Sequence, residues 1–241
     1  MRSYTPAMPA KNSLKQFIPD SYYHLYNRGV EKRHIFVDNQ DYAVFLSYLK
    51  NYLLPKDTRR LQKILADPQS GWREKDQAIK LLRMNNFAQA LTLHAYCLMP
   101  NHFHLLVKQT EAPTIDRFMN SLCTRYSMYF NRKHKRVGTL FQGVYKAVPV
   151  ITDEQLLHLS RYIHRNPYTL ASQGEALRSY AYSSVRDYLK LRKTEWVRVD
   201  TILSYFSSTS NNSYESFVEG VSNEERHQEI VTSVAIDLDA D

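Results

Sequence analysis

The period of the apolar positions changes repeatedly along this chain, and each change marks an element. Residues 21–28, SYYHLYNR, alternate large and polar groups and are rich in tyrosine, which predicts a strand ended by Gly29. Asp38 follows as a cap for a helix running to about Tyr52, with Val44, Phe45, Tyr48 and Leu49 at helical spacing, and Pro55 closes it. Residues 91–98, LTLHAYCL, and 102–108, HFHLLVK, read as two strands joined by a Pro100-Asn101 turn. Thr114 caps a long helix to about Lys133, whose apolar stripe is Ile115, Phe118, Met119, Leu122, Tyr126 and Phe130. Residues 139–150, TLFQGVYKAVPV, return as strand with a bulge expected at Gly143. Thr152 or Asp153 caps a further helix, 153–165, ended by Asn166-Pro167.

The order strand, helix, strand, strand, helix, strand, helix predicts an α+β fold, a ferredoxin-like antiparallel sheet with helices on one face. A charged insertion, 56–86, separates the first helix from the second strand and reads as two short helices broken by the turn at 68–71. Around a core domain at 21–170 stand a polar N-terminal arm (1–20), a helical and peripheral C-terminal extension (171–206) and an acidic, weakly ordered tail (207–241).

Composition narrows the function. Hydrophobic residues make up 43% of the 241, enough for an ordinary core, and 23% are charged, which argues against wholesale disorder. Cys97 and Cys123 are too few for a disulfide framework or a zinc cluster, so a reducing cytoplasm is the expected home. No secretory signal is visible, and no apolar run approaches the roughly 18 residues of a membrane span, so no membrane partner is expected. The charge is uneven. Residues 197–241 hold 2 Lys/Arg and 9 Asp/Glu, so with +8 overall the remaining body carries +15. Such a body suits a polyanionic partner, because a phosphate backbone rewards clustered Lys and Arg.

Two local patterns carry chemistry. His102 and His104 lie two apart on a strand, so both imidazoles stand on one side, while Phe103 between them faces the core. Neutral imidazole is a common ligand for divalent metals, although a His-x-His alone is more often incidental. On the helix 153–165, residues His158, Tyr162 and Asn166 share a face at i, i+4 and i+8. Arg161 and Arg165 flank Tyr162 and set it apart from the other 17 tyrosines, most of which must be packing residues. A phenol with a pKa near 10 needs help to attack phosphorus, and a metal that polarises the phosphate supplies part of it.

These motifs resemble those of the Y1 tyrosine transposases, the IS200/IS605-like and, best, the REP-associated branch. Leu98-Met-Pro-Asn-His-Phe-His-Leu-Leu-Val107 is similar to the family's histidine–hydrophobic–histidine motif, and Tyr162-Ile-His-Arg-Asn-Pro167 to its nucleophile helix. Tyr23-His-Leu-Tyr-Asn-Arg-Gly29 and Leu140-Phe-Gln-Gly-Val-Tyr-Lys146 match its usual pattern, and the resemblance spans roughly residues 20–190. It implies an HUH-type endonuclease fold, with His102 and His104 as metal ligands and Tyr162 as nucleophile. Asn166 sits where the family offers a third ligand, with His158 ranked below it. Imidazole with hard oxygen suits Mg²⁺ or Mn²⁺. The implied activity is transposition, in which single-stranded DNA, expected to contain a hairpin, is nicked and rejoined through a 5′-phosphotyrosine. ATP is not expected, consistent with the lack of a Gly-x4-Gly-Lys-Ser/Thr loop. Candidate DNA contacts are Arg28, Arg132, Lys133, Lys135, Arg136, Lys146, Arg161 and Arg165. Such a protein would associate with the nucleoid as a monomer or homodimer. Two other readings stand beside this one. One is a repeat- or hairpin-binding protein that keeps the fold without cutting. The other is an RNA-binding module, ranked last because the RNP1-type pattern is absent.

Overall fold

Alternation along the strands sorts their side chains onto two faces of one sheet. The computed structural model describes residues 17–169 (side chains at 168 and 169 excepted), 177–207 and 212–220. The arm up to residue 16 and the tail from 221 lie outside them. The sheet has four strands: β1 (Ser21–Arg28), β2 (Leu91–Met99), β3 (His102–Gln109) and β4 (Lys146–Val150). Their order is β2-β3-β1-β4 and every neighbouring pair is antiparallel. The charged insertion forms two helices as expected, α2 (Thr58–Ala66) and α3 (Trp72–Arg83).

Helices cover both faces of the sheet, where the element order suggested one. Tyr23, Leu25, Phe103, Leu105 and Val107 enter a core with α1 (Asn39–Leu53) and α4 (Thr114–Lys133). Leu106, Ala95, Cys97 and Met99 point the other way and meet Leu156, Leu159 and Ile163 of α5 (Asp153–Arg165). The reason is visible in β3: Leu105 and Leu106 are adjacent, hence on opposite faces, and both are fully buried. Each side therefore needs its own apolar cover, at about 1.5–3 kcal/mol per buried side chain.

Three boundaries also differ from expectation. Thr114 is the first residue of α4 and Pro113 its cap; Gln109 Oε1 accepts the Ile115 amide instead. Residues 139–145 run mostly as loop before β4, with Gly143 at φ +74° and one bridge from Phe141 to Gly29. β4 lies at the sheet edge, where Pro149 costs no ladder bond to a second neighbour. The C-terminal extension is not a peripheral helix. Among its described residues, helix is confined to residues 177–179 and to two single turns, α6 (Val185–Tyr188) and α7 (Asp200–Leu203), and its backbone bonds along the outer edge of β2. Leu98 N donates to Tyr182 O, Ser184 N to Tyr96 O and Arg198 N to Leu93 O, which caps an otherwise open strand edge. Part of the expected tail also packs: α8 (Tyr214–Glu219) buries Tyr214 and Val218 with α5.

Asp38 caps α1 through the amides of Gln40 and Asp41, as its position predicts. Asp41, one turn in, is fully buried and ties α1 to the end of α4 through Lys133 (2.8 Å) and His134 (3.0 Å). Burial pushes its carboxyl up, but the hydrogen bonds from Lys133, the Val37 amide and His134 outweigh that and hold it below the ordinary value. The stability it contributes is therefore complete above about pH 4 and is lost as pH falls through the lower folded value. Asp41→Ala should cost about 2–3 kcal/mol at neutral pH, because it removes the buried carboxylate shared by Lys133, His134 and the Val37 amide and leaves Lys133 paired with Asp38 alone. Urea melts at pH 7 and below pH 3 check both parts: the difference between variant and parent should shrink in acid.

Candidate active site

The even-numbered side chains of β1 and β3 build the site on the α5 face. Strand register sets Arg28 opposite His102 and Tyr26 opposite His104, and His24 is diagonal to His104. Phe103 is buried on the other face and anchors the strand between the two histidines. Gly29 closes β1 where a Cβ would lie 2.2 Å from the Arg33 carbonyl oxygen. Its amide donates to Asn101 O, and the Ile35 and Phe36 amides donate to Pro100 O. The turn before His102 is thus held from outside.

Hydrogen bonds decide which lone pairs face the centre. His102 Nδ1 is 2.7 Å from Asn101 Oδ1, and Asn101 Nδ2 donates to Lys32 O. A hydrogen on Nδ1, the nitrogen with the shorter contact, leaves a lone pair on Nε2. Asn166 Nδ2 donates to Tyr162 O at 2.9 Å, so Asn166 Oδ1 is the atom 3.3 Å from His102 Nε2. His104 is fully buried, its Nε2 makes no hydrogen bond, and the Asn166 amide lies beside it. Burial first, then the charges that His102 and His24 would carry, lowers its pKa well below the ordinary value, so the ring is neutral. In that tautomer His102 Nε2 and Asn166 Oδ1 are both acceptors, and a cation between them would join them. Two imidazole nitrogens and an amide oxygen are a donor set for a divalent cation, and these residues fit one. Among the described residues, no cluster of three His, Cys, Asp or Glu side chains offers another.

Tyr162 stands over this centre. Its ring is edge-on to His104 at 5.3 Å and to His24 at 6.2 Å. Thr152 caps α5 with a capping box through Gln155, which fixes the helix on which Tyr162 and Asn166 ride. His158, the competing ligand, instead packs its ring against Phe217 of α8 at 5.7 Å. His164 is buried between the Tyr214 hydroxyl (2.6 Å) and Ser184 Oγ (2.8 Å). Burial, then the nearby Arg192 charge, lowers its pKa to about 3, so it is a neutral tie rather than a proton carrier.

The basic residues divide. Arg28 and Lys146 emerge on the site's face, Arg28 through a bond to Gln142 and Lys146 exposed opposite Tyr26. Arg165 is half-exposed beside Gly220 O. Arg132, in the last turn of α4, and Lys135, just past its end, are exposed and Arg136 is half-exposed, under the opposite layer. Two expected DNA contacts are engaged internally. Lys133 bridges Asp38 and Asp41. Arg161 is buried, its guanidinium bonded to Gly220 O and 5.2 Å over Phe217. In each case a partner distant in sequence claims the charge. His24 and Asn101 carry no role in the sequence reading, yet both bond the candidate ligands. Period-two spacing puts His24 on the face of Tyr26, but only the β1–β3 register brings it to His104.

Residues 71–166 match the family model described as transposase IS200 like. This segment, less than half of the chain, is similar to the IS200-like transposases. The IS200-like segment contains His102, His104, Tyr162 and Asn166 and begins after β1 and α1, so His24 and Arg28 lie outside it. No curated protein matches the chain. Among solved structures, the chain is similar to a REP-associated tyrosine transposase bound to a REP hairpin. That likeness has 10% identity and a TM-score of 0.47, over 84% of this chain and 97% of that one. A proposed transposase of Deinococcus radiodurans R1 gives 16% and 0.31, over 63% and 95%. The tRNA(His) guanylyltransferase of Saccharomyces cerevisiae gives 10% and 0.31, over 92% and 81%. At such scores these likenesses do not bear on chemistry. Among the described residues, no helix is long and apolar enough to cross a membrane.

Proposed function

We propose that this chain is a single-strand DNA transposase of the HUH type, built on a ferredoxin-like sheet, that cuts and rejoins DNA through Tyr162. The observation that carries the reading is convergence. A tyrosine ring, two imidazoles and an amide oxygen from two distant segments meet at one point, inside the segment that matches the IS200-like family model. His102, His104 and Asn166 would hold Mg²⁺ or Mn²⁺, which when bound supplies charge to the phosphate oxygens.

The chain's own residues do the rest. Tyr162 Oη attacks phosphorus and loses its proton. The bond from phosphorus to the 3′ oxygen breaks, and that oxygen leaves as a 3′-OH. The DNA 5′ phosphate remains esterified to Tyr162. A 3′-OH from another end then attacks this ester and releases the phenol. One phosphodiester is exchanged for another, so no ATP is consumed. Arg28 and Lys146, on the site's face, would draw the backbone toward Tyr162, and the +15 body would make binding steeply salt-dependent.

Hairpin-containing single strands taken from the DNA flanking its own gene are the substrates to test, with Mn²⁺ or Mg²⁺ and with chelator. Cleavage with metal and none in chelator is expected. Tight hairpin binding with no cleavage under any metal would instead favour a repeat-binding protein.

A further inference from the structure

The mechanism above leaves His24 unused, although it is fully buried on the site's face. Its Nε2 lies 2.8 Å from His104 Nδ1, with the ring centroids 5.0 Å apart and 19° between the ring planes. At that separation one hydrogen is shared, carried by one nitrogen and accepted by the other. We infer that His24 is a positioning residue: it accepts the Nδ1 hydrogen of His104 and so keeps the His104 Nε2 lone pair aimed at the cation site.

The inference rests on the metal reading but follows from a separate contact. A neutral imidazole that ligates through Nε2 must carry its hydrogen on Nδ1. Buried, that N–H needs an acceptor, and the nitrogen facing it belongs to His24. His102 has the same arrangement with a different partner: its Nδ1 hydrogen goes to Asn101 Oδ1. Both candidate ligands are thus oriented from behind by a neutral acceptor, one from the turn and one from the neighbouring strand. Neutral partners add no negative charge behind the cation, which leaves more of its field for an anionic phosphate. His24 also meets Tyr162 edge to face at 6.2 Å and lies tilted against Tyr26 at 4.8 Å, so its own orientation is fixed by packing.

Two substitutions separate orientation from bulk. His24→Phe keeps a ring of similar size and removes the acceptor. His24→Gln places an amide oxygen near the position of Nε2. Mn²⁺ binding to the purified full chain, measured by calorimetry without DNA, should weaken about 10–100-fold in His24→Phe and recover to within about threefold in His24→Gln. In the metal-free protein, ¹⁵N shifts of the His104 ring should show Nδ1 protonated in the parent and in His24→Gln, and a shift toward the Nε2–H form in His24→Phe. Equal Mn²⁺ affinity in a folded His24→Phe, or equal loss in both variants, overturns the role of His24. An Nε2–H form of His104 in the parent overturns it as well, and does so without reference to metal. A parent chain that binds no Mn²⁺ while showing the Nδ1–H form overturns the metal reading, and with it the purpose assigned here to the contact.

Discussion

Tyr162→Phe is expected to abolish strand cleavage and covalent attachment together, by at least about 10⁴-fold. The change removes one oxygen and keeps the ring, so the edge contacts with His104 and His24 survive. Tyr162 is half-buried, and its ring packs beside the core formed by α5 and the sheet. The melting temperature should therefore move little. DNA affinity should also persist, because Arg28, Lys146 and Arg165 are untouched. Gel-shift and nicking assays on the same preparation read both quantities. Residual cleavage within tenfold of the parent would remove Tyr162 from the mechanism.

His102→Ala and His104→Ala should each lower cleavage by at least about 10²–10³-fold, and they should differ in stability. His102 is partly exposed, and its loss frees the Asn101 amide at the surface turn and the Asn166 amide beside it. His104 is fully buried, and its removal opens a void and strips His24 of its partner. The His104 variant should therefore melt several degrees lower, consistent with about 2–3 kcal/mol for a buried hydrogen-bonded group. His104→Gln restores much of the volume and separates the two effects: it should regain stability but not cleavage. Wild-type rates in chelator would contradict a metal at these residues.

The sheet and its main helices were legible because each depends on local pattern. The alternation in SYYHLYNR, the stripe of α4 and the cap at Thr152 are each read within a single element. What escaped depends on pairing between distant segments. His24 meets His104 only through the β1–β3 register, 80 residues apart. Lys133 and Arg161 look like surface cations in sequence, but Asp41 and the Gly220 carbonyl claim them, 92 and 59 residues away. The second buried face was hidden for the same reason: the Leu105-Leu106 pair reads as one apolar run until α5 is seen to cross over the sheet. The extension beyond residue 177 carries weak periodicity, since its anchoring to β2 runs through backbone hydrogen bonds that have no side-chain signature.

The central claim is that Tyr162 becomes joined to DNA. The rival tyrosines are differently placed. Tyr126 donates to Ile35 O in the opposite core, and burial holds its phenol far above the ordinary pKa. Tyr129 donates to Asp41 on that same side, while the Tyr168 side chain lies outside the described residues. Tyr26 shares the site's face but is buried beneath it. Incubating the protein with Mn²⁺ and a hairpin-containing single strand, digesting the trapped adduct and mapping its peptides by mass spectrometry tests the claim directly. The account predicts a single nucleotide-bearing peptide with the added mass on Tyr162; a nucleotide on Tyr26, Tyr126, Tyr129 or Tyr168, or cleavage without any protein adduct, would contradict it.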